Sequence, residues 1–139
     1  MLNKANVITV LQTKLNLKLA YQKDTLRVAI ISRNLDTKSS AGDKFETSRE
    51  MAQIEITKIE AEILKTQQFI ADLISKASQF IITDKGAFLI SIPFSKLTVK
   101  NTEIFCISNT APITKHLANT KASVNFNYRG VEYNVSGVT

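Results

Sequence analysis

The stretch TKSSAGD at residues 37–43 decides the fold, because this small, polar segment separates two long helix-compatible runs. Its single glycine suits a tight reversal of the chain. The run before it, from Lys4 to Asp36, contains no Gly or Pro, and the run after it continues to about Lys76. Two long helices joined by a short loop run antiparallel, so the sequence predicts a helical hairpin.

The second predicted helix, from Glu46 to about Lys76, carries a coiled-coil pattern. Its apolar positions alternate spacings of four and three residues, a heptad pattern held for about three and a half repeats. These positions are Ala52, Ile56, Ile59, Ile63, Thr66, Ile70, Leu73 and Ala77. The first helix has two competing apolar stripes, so the sequence does not decide which of its faces is turned inward. One stripe is formed by Leu11, Leu15, Leu19, Leu26 and Ile30, and the other by Val28, Ile31 and Leu35.

The chain changes character near Phe80, where strand patterns replace helical ones. The predicted strands cover residues 80–83, 87–92, 103–108, 124–127 and 131–135. Pro112 opens a predicted short helix, and Arg129-Gly130 forms the turn of a closing hairpin. The sequence therefore predicts an α+β fold. An antiparallel coiled-coil finger over residues 1–77 is followed by a small antiparallel-sheet domain with one short helix over residues 78–139.

Charge is distributed unevenly along the 139 residues, whose formal net charge is +6. Residues 1–40 carry seven Lys or Arg and two Asp, whereas residues 41–79 carry five Lys or Arg and seven acids. A basic arm followed by an acidic one indicates helices with complementary faces, or a basic surface near nucleic acid. Plain solvated helix faces explain the same pattern.

The composition also excludes several kinds of site. The single Cys106 rules out an internal disulfide and a cysteine metal cluster. The single His116 has no Cys or His neighbour in the sequence that would support a metal site. Apolar runs stay well short of the about 18 residues of a membrane span. We therefore expect a cytoplasmic protein without a membrane partner.

Asp43 and Glu46 are the residues that could carry chemistry at the predicted tip. Asp is a favoured N-cap, and a Glu three residues later completes a capping box. Residues three apart on a helix point the same way, so the two carboxylates could instead share a hard cation such as Mg²⁺. Two carboxylates hold Mg²⁺ weakly, and the remaining ligands would come from elsewhere. The residues alone leave both interpretations open.

The segment SAGDKFE at residues 40–46, placed between two long helices, resembles the tip of the Gre transcript-cleavage factors of bacterial RNA polymerase. That family carries Gly-Asp, two variable residues and Glu at this point. Residues 107–117 resemble the family's strand, its Pro-Ile or Pro-Leu segment and its short helix. Residues 124–126 and 133–135 resemble its last hairpin, in an FKBP-like domain. The resemblance covers nearly the whole chain and depends on the order and spacing of these segments.

The resemblance implies a transcription elongation factor of the GreA/GreB type and not an enzyme in its own right. The finger would enter the secondary channel of RNA polymerase, and the C-terminal domain would dock at the rim near Ala111, Pro112 and Ile113. Asp43 and Glu46 would help to position the second Mg²⁺ and its water, while the polymerase's own site cleaves the RNA 3′ end. The resemblance implies that the isolated protein is a monomer and binds no cofactor.

Some positions depart from the family pattern, and three alternative functions stay open. Thr47 stands where the family usually has Asn, and Ala111 replaces the usual Ser before Pro. Secondary-channel proteins of the DksA type also carry two tip acids, yet they regulate initiation without stimulating cleavage. A coiled-coil adapter would pair its seam with another chain. An FKBP-like isomerase would act through residues 78–139 alone.

Overall fold

A computed structural model describes residues 2–39, 43–118 and 120–139; the side chains of 36–39 and 43–47 lie outside this description. Helix α1 covers Lys4–Ser39 with 36 residues, and helix α2 covers Asp43–Ser75 with 33 residues. At a rise of 1.5 Å per residue, the helices are about 54 and 50 Å long. The backbone N–H of Asn6 donates to Asn3 Oδ1 at 2.8 Å, so Asn3 caps the start of α1.

A mixed sheet follows the helices, in which the described residues form six strands and one short helix. These are β1 Gln79–Thr83, β2 Gly86–Ser91, β3 Leu97–Val99, β4 Thr102–Ser108, α3 Thr114–Leu117, β5 Asn125–Tyr128 and β6 Val131–Val138. The strand order is β3-β4-β2-β1-β6-β5. Strands β2 and β4 are parallel, and the other described neighbours are antiparallel. The α+β class is confirmed, and the predicted antiparallel sheet is corrected to a mixed one.

Strand β3, which the sequence did not predict, accounts for the parallel pair. It occupies the sheet edge and runs antiparallel to β4, so the chain enters β4 in the direction of β2. Lys100 and Asn101 make the turn between β3 and β4, with φ of 49° and 65°. Two residues with positive φ form the tight turn typical of hairpins. Lys-Asn is a weak turn signal, and three strand residues are too few to show a period of two.

The described residues divide into two compact units, which we call unit 1 and unit 2. Unit 1 consists of Met1–Thr13 and Ala71–Thr139, and unit 2 of Lys14–Ile70. Helices α1 and α2 each contribute to both units. The predicted domain boundary after residue 77 follows the end of α2 and stays a prediction.

Unit 1 contains the sheet and its core. Strand β2 is buried along its length from Ala87 to Ile90, as suits a strand covered on both faces. One cluster of buried residues consists of Ile81, Phe88, Ile90, Leu117 and Val135. The helix residues Val7, Leu11 and Leu73 are also buried. Because Leu117 of α3 belongs to the cluster with Ile81 and Phe88, it holds α3 to the sheet and fixes the position of the turn before α3.

Unit 2 contains the helical hairpin, and its buried residues confirm the predicted seam of α2. Ile56, Ile59, Ile63 and Thr66 are all buried, at the predicted spacings of three and four. Ala77 lies beyond the end of α2 and is exposed, so the helical seam ends at Leu73. On α1 the inward stripe is the one that contains Leu15, because the competing stripe of Val28, Ile31 and Leu35 is exposed.

Candidate functional site

The predicted tip lies where α1 gives way to α2. Helix α2 begins at Asp43, three residues before the predicted start, so Asp43 and Glu46 both belong to its first turn. Their side chains, like residues 40–42, lie outside the described residues. The capping and metal-sharing interpretations of this pair therefore both stay predictions. Near the tip, Arg33 Nη1 donates to Gln53 Oε1 at 2.7 Å and joins the two helices.

The predicted docking segment, Ala111 to Ile113, forms a short turn between β4 and α3. The backbone N–H of Ala111 donates to Ser108 O at 3.1 Å, and that of Thr114 donates to Ala111 O at 2.9 Å. Thr114 Oγ1 donates to Ser108 O at 2.9 Å and fixes the far end. Pro112 is exposed, whereas Ile113 packs against the sheet core. The turn therefore presents Pro112 to solvent on a rigid base.

Aromatic rings lie beside this turn, on α3 and the closing hairpin. Phe126 and Tyr133 are cross-strand partners whose rings stack at 5.0 Å, so they pack the closing hairpin. The exposed His116 of α3 stacks on Phe126 at 5.9 Å and meets the edge of Tyr128 at 5.6 Å. The sequence did not indicate this contact of His116, because α3 and the hairpin are separated along the chain.

Asp84 and Lys85 form an exposed ion pair in the turn between β1 and β2, and hydrogen bonds from both side chains hold this turn against β6. The backbone N–H of Asn134 donates to Asp84 Oδ1 at 2.9 Å, and Asn134 Nδ2 donates to Oδ2 at 2.9 Å. Lys85 Nζ lies 3.1 Å from Asp84 Oδ2 and also donates to Glu132 O. The Asn134 N–H, followed by Lys85, lowers the pKa of Asp84 from 3.8 to about 2. These contacts are structural, because every partner belongs to the turn or to β6.

A groove of about 340 Å³ runs along the hairpin within unit 2. Its lining includes Lys18, Tyr21 and Gln22 of α1, and Lys58 and Glu62 of α2. Gln22 is only 9% exposed, and its Oε1 has no hydrogen-bond partner among the described residues. The sequence pattern does not indicate Gln22, because apolar periodicity passes over a polar residue in the seam.

Among the described residues, no three or more His, Cys, Asp or Glu side chains are grouped so that they could hold a metal ion. None of the helices in the described ranges combines the length and apolar character needed to cross a membrane. Comparisons with protein-family models, curated proteins and solved structures gave no match.

Proposed function

We propose that this protein is a secondary-channel factor of bacterial RNA polymerase that stimulates cleavage of backtracked RNA. The observation that carries the proposal is the position of Asp43 and Glu46. Both belong to the first turn of a 33-residue helix, directly after the three-residue connection from a 36-residue helix. Acids at such a connection are as far along the hairpin as the chain allows. This position supports a function in which the tip of the hairpin acts inside a partner protein.

The acid pair suits Mg²⁺ in the chemistry of its donors. Carboxylate oxygens are ligands that Mg²⁺ prefers, and it is commonly held by one or two carboxylates together with water and phosphate oxygens. Asp43 and Glu46 would supply these two carboxylates, and the polymerase would supply the rest. Bound Mg²⁺ lowers the pKa of water and offsets charge on phosphate oxygens. The contribution of this chain is to hold two negative charges close together on one helical turn.

The sheet domain supplies a second contact with the polymerase in this proposal. The turn from Ala111 to Ile113 supports that role, because it is anchored by hydrogen bonds at both ends and leaves Pro112 exposed. A rigid exposed turn loses little conformational freedom on binding. We also propose that this domain has an FKBP-like fold.

The test is a transcript-cleavage assay on stalled elongation complexes of bacterial RNA polymerase with Mg²⁺. We expect the wild-type protein to accelerate removal of the RNA 3′ end. The double variant Asp43→Ala with Glu46→Ala should bind the polymerase with nearly unchanged affinity and lose the acceleration. A matched control is Glu50→Ala with Glu60→Ala, which removes two exposed acids from the same helix. The control should cleave as well as the wild type.

The same assay separates the alternative functions. Binding to the polymerase without faster cleavage, together with altered initiation at several promoters, would favour a non-cleaving regulator of the DksA type. A failure to bind the polymerase would reject the proposal and leave the coiled-coil adapter or the isomerase. Equal cleavage by the tip variant and the wild type would show that the acids are not the working part.

A further inference from the structure

Three aromatic rings of α3 and the closing hairpin lie in nearly parallel planes, and we call them the ring column. Tyr133 stacks on Phe126 at 5.0 Å with 14° between the ring planes, and Phe126 stacks on His116 at 5.9 Å with 8°. Tyr133 also meets the edge of the core residue Phe88 at 5.7 Å. The column is therefore fixed to the sheet core at one end, whereas His116 at its other end is exposed.

The exposed end of the ring column has room for one more flat ring. Phe126 covers one face of the His116 imidazole, and Tyr128 meets its edge with ring centres 5.6 Å apart. Because the side chain is nevertheless exposed, its accessible surface includes the other ring face. Aromatic rings favour offset stacking. Unpaired nucleic-acid bases stack on Phe, Tyr and His side chains in this way.

Three exposed cations belong to the same part of the fold. Lys115 precedes His116 on α3, and Lys121 lies in the segment that joins α3 to β5. The Cζ atom of Arg129 lies 5.2 Å from the centre of the Tyr128 ring. Among the described residues, no acidic side chain lies within ion-pair distance of these three cations. Unpaired lysines and arginines at a surface attract phosphate groups.

The acids of the sheet domain do not neutralise these cations. Residues 78–139 contain three acids. Asp84 and Glu103 each form an ion pair with a lysine outside this surface. Glu132 is the cross-strand partner of Asn127, so its side chain lies on the face of the hairpin opposite the ring column. The surface around the exposed end of the column is therefore positively charged.

We propose that the exposed end of the ring column and these three cations bind single-stranded RNA, with one base stacked on His116 and phosphates beside the cations. Stacking requires an unpaired base, and unpaired bases are typical of RNA loops and ends. An acidic peptide would satisfy the cations but would leave the open face of His116 without a stacking partner. This inference is independent of the proposed function. The surface includes neither long helix, and Pro112 of the proposed docking turn is not part of it.

The backbone at Arg129 supports a binding role for its side chain. Arg129 and Gly130 form the two-residue turn of the hairpin, with φ of 52° and 79°. Turns of this kind favour Asn or Gly at the first position, because both residues need positive φ. Most other side chains are strained there. Arginine therefore occupies a position where asparagine would suit the backbone better, and the variant Arg129→Asn separates the structural role of this residue from its binding role.

The test is fluorescence anisotropy of a labelled RNA of about 12 nucleotides, within the usual range of single-strand sites. Its sequence of A and C cannot pair with itself. The full chain should bind this RNA at low salt, and the logarithm of affinity should fall with the logarithm of salt concentration with a slope of about 2 for three phosphate contacts. The RNA duplex of the same sequence should bind at least about fivefold more weakly, because its bases are paired.

Variants locate the site on the molecule. His116→Ala should weaken binding at least about fivefold, as expected for one stacked base, whereas His116→Phe keeps a ring and should bind like the wild type. Arg129→Asn should weaken binding and lower the salt slope by about 0.7, while its urea midpoint stays at or above that of the wild type. The matched control is Lys23→Gln, which removes one charge from an exposed position of the basic helix α1 and should bind nearly like the wild type.

Absence of binding at about 100 μM chain would overturn the proposal, since even non-specific sites have dissociation constants of about 1–100 μM. Equal binding of the duplex, or unchanged binding by His116→Ala, would overturn the stacking. Equal losses in Lys23→Gln and Arg129→Asn would show that net charge alone binds RNA, and would overturn the site. A lower urea midpoint for Arg129→Asn would assign Arg129 a structural role instead. Equal binding of DNA of the same sequence would overturn the choice of RNA. Because the assay contains no polymerase, its failure leaves the proposed function unaffected.

Discussion

Replacing Gln22 by Leu should stabilise the helical hairpin. Gln22 lies in the inner seam of α1 with 9% of its surface exposed, and its Oε1 has no partner among the described residues. A buried acceptor without a hydrogen bond costs about 1–3 kcal/mol. Leucine has a similar size and suits a coiled-coil seam, so Gln22→Leu should raise the free energy of unfolding by about 1–3 kcal/mol.

Urea unfolding followed by circular dichroism at the helical band measures this change. The matched control is Gln67→Leu, the same substitution at an exposed position of α2, where the effect should stay within about 0.5 kcal/mol. A loss of stability in Gln22→Leu, or a gain no larger than that of the control, would refute the reasoning. Such a result would mean that the groove beside Gln22 supplies its missing hydrogen-bond partner through water.

Two further predictions concern the sheet. Gly86→Ala should lower the free energy of unfolding, measured with urea, more than Gly130→Ala does. Both glycines have positive φ, but a Cβ at Gly86 would lie 2.9 Å from Glu103 O, whereas the space around Gly130 is open. Equal losses in the two variants would contradict the crowding at Gly86. For Asp84, hydrogen bonds lower the folded pKa to about 2, so its contribution to stability is present above its ordinary pKa of 3.8 and is lost as the pH falls towards 2. Unfolding measured across this range should show a weaker pH dependence in Asp84→Asn than in the wild type, and an unchanged dependence would contradict the assignment.

Periodicity decided how much of the helical half could be predicted. The seam of α2 was found because its spacing is regular, and burial of Ile56, Ile59 and Ile63 confirms it. The inward face of α1 was not, because α1 carries two apolar stripes and periodicity alone cannot choose between them. Gln22 was missed for a related reason, since hydrophobic patterns do not register a polar residue inside a seam.

Local signals decided the outcome in the sheet half. The closing hairpin was predicted because Arg129-Gly130 is a recognisable turn between alternating strands, and both residues have positive φ. Strand β3 was missed, and with it the parallel pairing of β2 and β4, because pairing is set by distant contacts. The acid pair of the candidate site was predicted from residue type, spacing and the family resemblance, and it stays a prediction. Its geometry could not be predicted, since the same spacing serves a capping box and a metal ligand pair.

The rate of RNA 3′-end cleavage in stalled polymerase complexes tests the central claim most directly. Measured at saturating protein, the wild type should accelerate cleavage. The variant with Asp43→Ala and Glu46→Ala should bind and give only the polymerase's intrinsic rate. Cleavage by that variant at the wild-type rate, or a wild type that binds without accelerating cleavage, would contradict the account.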